Sequence, residues 1–143
     1  MNTSLASQKV SNDVKTTGTA GRFARAGFIA GFCAAVVNLV VVAIAHGLDV
    51  SFEVPRGEAI PLIAFPQMTL FAAIVGVGLA AVLVRRARRP RSVFLTVTVA
   101  LSALSLLPPV LVHTDTATRL VLEFTHLVAA LIVIPAIASR LAD

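Results

Sequence analysis

The sequence predicts an all-α integral membrane protein, folded as an up-down bundle of four transmembrane helices. Of its 143 residues, 57% are hydrophobic and 13% are charged, against about 25% charged in a typical soluble domain. The apolar residues form four long uncharged runs, not the alternating pattern of membrane β-strands. The net charge is +5, and most basic residues lie in alternate segments between these runs. The composition argues against a soluble domain and excludes disorder over most of the length.

The first apolar run covers residues 26–45 and follows a polar segment, residues 1–25. That segment is rich in Ser, Thr and Asn and shows no helical period, so we expect a flexible cytoplasmic tail. A bilayer core of about 30 Å needs about 20 apolar residues, so the run is long enough to span it. A cleaved signal peptide is the alternative, but its apolar core would have only about 7–15 residues.

The second run, residues 60–84, begins after the polar connection of residues 46–59. In this connection, Val54-Pro55 predicts an extended segment that leads into a turn. Within the run, Pro66 predicts a kink, because proline lacks a backbone donor and its ring clashes with the preceding turn.

The third run, residues 93–112, follows a densely basic segment, Arg85 to Arg91, which reads RRARRPR. Because apolar runs flank this segment on both sides, we interpret it as a cytoplasmic connection and not as a nucleic-acid-binding site. The Pro108-Pro109 pair is expected to disrupt the last turn of the third helix.

The fourth run, residues 120–139, differs from the others because it contains ionisable groups, Glu123 and His126. Thr116 or Thr118 precedes or begins this helix and is expected to cap it, since a threonine side chain can accept from the free N–H groups of the first turn.

The distribution of basic residues predicts the orientation of the chain. The tail contains four, the Arg-rich segment five and the carboxyl end one, whereas the other two connections contain Arg56 and Arg119. Because Lys and Arg mark cytoplasmic loops, we expect both termini in the cytoplasm. Short connections make neighbouring helices antiparallel, which predicts one four-helix transmembrane domain over residues 26–140.

Several short motifs carry a resemblance to known proteins. They are Val54-Pro55, Ile60-Pro61-Leu62, Arg89-Pro90-Arg91 with Phe94, and His126-Leu127-Val128-Ala129-Ala130 ending at Pro135-Ala136. The chain resembles small four-span bacterial membrane proteins of unknown function, of the high-GC type, over about residues 22–142. The resemblance implies the four-span fold and a multi-pass location in the inner (plasma) membrane, and it implies no reaction.

Small residues and one amide share a face of the first predicted helix. Gly27, Gly31, Ala34 and Asn38 follow at steps of four, three and four, so Asn38 should point into the bundle. We favour packing of this face inside the bundle; a homodimer through Gly27-x-x-x-Gly31 is the alternative.

One hydrogen-bonding side chain from each span is expected at a similar depth. Counted from the outer helix ends at about 1.5 Å per residue, Asn38, Gln67, Ser105 and His126 lie about 10–12 Å below the outer surface. This level predicts a polar pocket in the outer half of the bundle. The alternative is an interhelical hydrogen-bond network that only holds the helices together.

The fourth run places His126 at the depth of the predicted pocket, and Glu123 and Arg119 nearer the outer surface. Arg119, Glu123 and His126 follow at helical spacing, which predicts an Arg–Glu–His ladder on one face. Ionisable residues inside a membrane are functional candidates, and histidine can exchange a proton near neutral pH. We therefore add these residues to the candidate ligand or proton site.

Catalytic and metal-binding motifs are missing from the sequence. It contains no G-x-S-x-G, H-E-x-x-H or phosphate-binding loop, and its single cysteine, Cys33, excludes an intrachain disulfide. The E-x-x-H spacing of Glu123 and His126 occurs once, whereas di-iron bundles need two copies. A zinc site supplemented by His46 and His113 is a weaker alternative. The sequence thus predicts no enzyme, no cofactor, no metal site and no nucleic-acid partner.

The predicted function is that of a small membrane protein that binds a lipid-like ligand or a partner membrane protein through its polar pocket. The lipid bilayer is its expected environment, and a homo-oligomer is left open. The main alternative is a small proton-coupled transporter that uses Glu123 and His126. An enzyme that acts on a lipid-linked substrate is the third hypothesis.

Overall fold

The computed structural model describes residues 3–54, 58–107 and 115–143. Four helices are described in these ranges: α1 (Thr3–Gly47), α2 (Ala64–Arg86), α3 (Pro90–Ser105) and α4 (Thr116–Ala138). Two short strands, β1 (Glu53–Val54) and β2 (Glu58–Ala59), lie between α1 and α2. Apart from this strand pair, the described regular structure is all helical, which confirms the all-α part of the predicted fold class.

Three of the described helices are long and apolar enough to cross a membrane: residues Gly21–Gly47 of α1, and the whole of α2 and α4. Helix α3 is apolar but has 16 residues, about 24 Å at about 1.5 Å per residue. That length is shorter than a hydrocarbon core of about 30 Å. The prolines expected to end the third span, Pro108 and Pro109, lie outside the described residues.

The first helix starts well before its apolar run. The sequence predicted an irregular tail over residues 1–25, but α1 begins at Thr3. No proline interrupts this part of the chain, and its Ala, Lys, Gln and Arg residues are good helix formers. Elongation of an existing helix costs little compared with nucleation, so the apolar helix extends into the polar segment.

The strand pair lies at the end of the molecule where α1 ends and α2 begins. Strands β1 and β2 pair antiparallel, with Glu53 opposite Ala59, which agrees with the extended segment predicted at Val54; the following turn lies outside the described residues. Phe52 beside the strands is buried and packs edge-to-face on Phe65 of α2, with ring centroids 5.4 Å apart. We call this end of the molecule the hairpin end, and the opposite end, at Arg85 to Arg91, the Arg-rich end.

Helix α1 packs along both α2 and α4, whereas α3 contacts mainly α2 and α4. Two glycines permit the close approach of α1. A Cβ atom on Gly27 would collide with Val77 of α2 and crowd Ile137 of α4, and one on Gly31 would collide with Ala73 of α2. Both glycines are therefore covered by the chain's own helices, so the structure favours packing within the bundle over the homodimer alternative.

The Arg-rich end has a closed apolar core. Phe94 of α3 is 1% exposed and packs in a cluster with Phe23, Ala80 and Ile137. Pro90 begins α3, and the backbone N–H of Ser92 in its first turn finds an acceptor in a distant part of the chain. The Ser92 N–H and hydroxyl donate to the carboxylate of Asp143 at 2.9 and 3.0 Å.

Asp143 is held in its charged form by this contact. The Ser92 N–H is the main cause that lowers the pKa of Asp143 below its ordinary value of 3.8, with a smaller contribution from the Ser92 hydroxyl. The carboxylate thus caps the first turn of α3 and joins the last residues of the chain to that helix.

The cap of α4 differs from the prediction. Asp115, not Thr116 or Thr118, is the capping residue, and its carboxylate accepts from the N–H groups of Ala117 and Thr118 at 2.8 and 3.0 Å. The Thr118 hydroxyl also donates to this carboxylate and is the largest cause that lowers the pKa of Asp115. The threonine prediction was wrong because the helix begins one residue after an aspartate, which is at least as good a cap.

Pro66 also has a different role from the predicted kink. Helix α2 begins at Ala64, so Pro66 lies in its first turn. Backbone N–H groups of a first turn have no partner within the helix, and a residue that lacks this group therefore breaks no helical hydrogen bond.

Candidate functional site

A cavity of about 570 Å³ lies between α2, α3 and α4. Its volume falls in the range of about 300–1,000 Å³ that is typical of small-molecule sites. Most of its described wall is apolar, and α1 contributes a single residue, Asn38. The polar residues of the wall are Asn38, Thr69, Thr98, Ser102, Ser105, Thr125 and His126.

The cavity is elongated along the helices. Its wall extends from Ala64 to Leu79 on α2 and from Leu122 to Ile137 on α4. Each of these stretches corresponds to about 22 Å of helix. Most polar side chains of the wall lie toward the hairpin end, and the wall near Phe94 at the other end is apolar. The wall of the cavity is therefore amphipathic, with polar side chains at one end and apolar side chains at the other.

Asn38 joins three helices at the polar end. Its side chain is 2% exposed, and its Nδ2 donates to the Thr69 hydroxyl of α2 at 2.9 Å and to the Thr125 carbonyl of α4 at 3.1 Å. The Thr69 hydroxyl in turn donates to the carbonyl of Phe65 at 2.8 Å. The prediction that Asn38 points into the bundle is confirmed.

These contacts determine which way the Asn38 amide faces. The Thr125 carbonyl can only accept, and the Thr69 hydroxyl has already used its hydrogen on Phe65, so both partners require the NH₂ group. The carbonyl oxygen, Oδ1, is buried and has no hydrogen-bond partner in the described part of the chain. A buried acceptor of this kind costs about 1–3 kcal/mol if nothing satisfies it.

Two other predicted residues share the cavity wall with Asn38. The Ser105 hydroxyl donates to the Ser102 carbonyl at 2.7 Å, which commits its hydrogen. The Nδ1 atom of His126 lies 2.9 Å from the Leu122 carbonyl. Because a carbonyl only accepts, Nδ1 donates the hydrogen in this contact.

Gln67 does not join this group. Its side chain is exposed and is not part of the described cavity wall. The buried face of α2 contains Phe65, Thr69 and Ala73 at steps of four. Gln67 lies two residues from Thr69, about 200° around the helix at about 3.6 residues per turn. Its predicted depth was a count along the axis, which does not determine the direction of a side chain.

The charged pair of α4 also lies outside the described cavity wall. The Arg119 Nε atom and the Glu123 Oε1 atom are 3.0 Å apart, and both side chains are partly exposed. His126 contacts the Leu122 carbonyl and not Glu123. Of the predicted Arg–Glu–His ladder, the Arg119–Glu123 contact therefore forms and the Glu123–His126 contact does not. The reason is local: the carbonyl one turn before a helical residue lies within reach of its side chain.

Thr69 and Thr125 were missed as site residues. Thr69 lies one turn from both Phe65 and Ala73, so the apolar face of α2 contained the signal that it is buried. Thr125 contributes a backbone carbonyl, for which side-chain chemistry gives no signal. The third-helix residues Thr98 and Ser102 share the cavity wall with Ser105.

The described residues contain no group of three or more His, Cys, Asp or Glu side chains placed to hold a metal ion. His46 is exposed at the end of α1, and His113, the other histidine of the zinc alternative, lies outside the described residues. The described cavity wall therefore offers hydroxyls, one amide and one imidazole as its polar groups.

Comparison with known proteins assigns the chain to a family and not to an activity. No curated protein and no solved structure matches it. A sequence model of the family of unknown function DUF6069 matches residues 18–143, which is most of the chain. The protein therefore belongs to the DUF6069 family.

Proposed function

We propose that the protein is a multi-pass membrane protein that binds a lipid-like ligand in the cavity between α2, α3 and α4. The observation that carries this proposal is the cavity itself, whose described wall is mostly apolar but also contains several hydroxyls, the Asn38 side chain and the His126 imidazole. Small-molecule sites typically combine an apolar wall with a few polar groups that orient the ligand. A volume of about 570 Å³ is large enough for such a ligand.

The location in a membrane is supported by the exposed surface. Large apolar side chains face outward on α1 and α4, among them Phe32 at 63% exposure and Leu131 at 74%. Helices with such surfaces suit a lipid environment, in which apolar side chains face the hydrocarbon. We propose four spans, of which α3 belongs to the third.

The proposed orientation places the Arg-rich end in the cytoplasm of a bacterial cell, at its inner membrane. Its five arginines are all exposed at the ends of α2 and α3, as expected for a cytoplasmic connection. The polar end of the cavity then lies in the outer half of the membrane. A reporter fused after Asp143 is expected to be active in the cytoplasm, and periplasmic activity would contradict the four-span topology.

The transporter hypothesis receives less support from the geometry. A proton-coupled transporter needs its ionisable group in contact with the substrate path. Glu123 pairs with Arg119 instead and is not part of the described cavity wall. Proton coupling through Glu123 and His126 stays a prediction, and the cavity favours ligand binding.

Native mass spectrometry of the gently extracted protein tests the proposal. The cavity is filled in Ala130→Phe, because Ala130 is part of its wall, whereas Ala100→Phe adds the same volume to an exposed position of α3. We expect a non-protein mass on the wild type and on Ala100→Phe, and its loss in Ala130→Phe. A bare chain in the wild type, or an unchanged bound mass in Ala130→Phe, would overturn the proposal. A bound protein in place of a small molecule would favour a partner membrane protein.

A further inference from the structure

The Arg-rich end has a strong excess of positive charge. Three further arginines belong to it, because they lie within two residues of Phe23 or Leu141, which pack in the core around Phe94. The exposed arginines described at this end are Arg22, Arg25, Arg85, Arg86, Arg88, Arg89, Arg91 and Arg140.

Acidic side chains in the described ranges do not neutralise this charge. Asp143 is the one acidic side chain described at the Arg-rich end, and its carboxylate is already bonded to Ser92. The ion pair that forms within 4.0 Å in the described part of the chain is Arg119–Glu123, toward the other end. The guanidinium groups of the Arg-rich end are thus available to an anion from outside the chain.

Two of these arginines share a face of α1 with apolar side chains. Arg22, Arg25, Ile29 and Phe32 follow at steps of three, four and three, which places them on one side of the helix. All four side chains are exposed. The outer face of α1 is therefore a continuous stripe that is cationic at the Arg-rich end and apolar beyond it.

The cationic part of the stripe lies at the depth of lipid head groups. The apolar stretch of α1, Gly21–Gly47, has 27 residues, or about 40 Å of helix. A hydrocarbon core is about 30 Å thick, and the bilayer with its head groups about 40–45 Å, so the first turn of this stretch leaves the core. Side chains on a helix tilt toward its N-terminus, which for α1 is the Arg-rich end. Arg22 and Arg25 therefore extend toward the head groups.

Two guanidinium groups one turn apart suit a phosphate. Residues at this spacing have Cβ atoms about 5–6 Å apart, so both long side chains can reach the same group. Each planar guanidinium can bind two phosphate oxygens. A zwitterionic head group adds a cation beside its phosphate, which the arginines would repel. The stripe therefore favours a head group with a net negative charge.

We propose that Arg22 and Arg25 bind the phosphate of an anionic phospholipid, whose acyl chain lies along Ile29 and Phe32. This site is on the outer face of α1, whereas the cavity lies between α2, α3 and α4. The inference rests on the proposed membrane location and not on ligand binding in the cavity.

The test is lipid selectivity of the wild-type protein in nanodiscs. They contain equal amounts of phosphatidylglycerol and phosphatidylcholine with identical acyl chains, and native mass spectrometry of the released protein identifies the lipids that stay bound. An arginine near an anionic lipid contributes about fivefold in affinity, so two should give about a 25-fold preference for phosphatidylglycerol. Equal retention of the two lipids would overturn the inference.

Matched variants distinguish a site from the overall charge. Arg22→Gln/Arg25→Gln should abolish most of the preference. Arg88→Gln/Arg89→Gln removes the same charge from the same end, but these two residues lie between α2 and α3 and continue no apolar helical face, so most of the preference should remain. Equal losses in the two variants would contradict a site on α1.

A lysine variant keeps the test decisive if the glutamine variant does not fold. Arg22→Lys/Arg25→Lys retains both charges but loses the planar fork, so the preference should fall several-fold without disappearing. An unchanged preference would contradict paired guanidinium contacts with the phosphate. Loss of the wild-type preference in excess inorganic phosphate would show that the site takes the free anion and not the lipid.

The cavity-filling variant separates this inference from the proposed function. Ala130→Phe should keep the preference for phosphatidylglycerol, because Ala130 lines the cavity and not the outer face of α1. If the preference disappears in this variant, the anionic lipid occupies the cavity and the site on α1 is wrong. If the preference remains while no ligand is found in the cavity, the proposed function fails and the inference stands.

Discussion

The two ends of the helices differ in how their interiors are filled. At the Arg-rich end, Phe94 and its neighbours form a closed apolar core, and Asp143 satisfies the first turn of α3. At the hairpin end, the interior contains the polar part of a cavity and the unpartnered oxygen of Asn38. The hairpin end also has an apolar cluster, formed by Val42, Ala45, Phe52 and Phe65, so both ends contribute to packing. The comparison teaches that the unsatisfied polar group and the polar part of the cavity are confined to one end of the molecule.

The largest expected loss of stability comes from a substitution in the apolar core of the Arg-rich end. Phe94→Ala removes a buried ring from the core and leaves a void, which we expect to destabilise the protein by about 3 kcal/mol. The measurement is reversible unfolding in detergent. Phe32→Ala is the matched control because Phe32 is 63% exposed, and its loss should change little. Equal effects of the two substitutions would show that the core at this end is not what holds the helices.

A somewhat smaller loss of stability is expected from a substitution where α1 lies close to α2 and α4. Gly27→Leu forces a side chain against Val77 and Ile137, and overpacking of this kind costs about 1–3 kcal/mol. Gly78→Leu places the same side chain where no atom lies within 4 Å and should be tolerated. Thermal unfolding of both variants checks this prediction. A tolerated Gly27→Leu would argue against the close packing of α1.

The hairpin end should respond differently to the loss of its central polar residue. Asn38→Leu removes two hydrogen bonds, but it also removes a buried acceptor without a partner. Interhelical hydrogen bonds in membranes contribute about 0.6 kcal/mol on average. The net change in unfolding free energy should therefore stay below about 1 kcal/mol, measured as for Phe94→Ala. A loss of several kcal/mol would mean that Asn38 is structural, which would favour the hydrogen-bond network over a ligand site.

The smallest effect is a pH dependence confined to the Arg-rich end. Because the Ser92 N–H lowers the pKa of Asp143, the charged carboxylate is favoured in the folded protein. Its contribution to stability is present above the ordinary pKa of 3.8 and is lost as the pH falls through the lower folded value. Hydrogen exchange at the Ser92 amide should report this loss.

The matched variant for this measurement is Asp143→Asn, which keeps an acceptor but does not titrate. Its exchange at Ser92 should lack the acid-dependent step. The same step in both proteins would assign the titration to another group.

Local patterns in the sequence predicted the helices and several of their faces. The steps between Gly27, Gly31, Ala34 and Asn38 predicted a buried face, and all four residues are buried. The prediction for Gln67 failed because depth along a helix says nothing about rotation around it. Asp115 was overlooked as a cap, and the tail was predicted to be irregular, because the boundaries of helices depend on weak local preferences.

The sequence by itself determined the lengths of the apolar runs, the side chains that share a helical face and the concentration of arginines at one end. These properties are local, since they follow from the period of the helix and the thickness of a membrane. Only the tertiary structure decided that Thr69 and Thr125 use the NH₂ group of Asn38 and leave its oxygen free. The physical reason is that the partners of a buried polar group come from other helices, and their rotation is set by packing across the whole bundle.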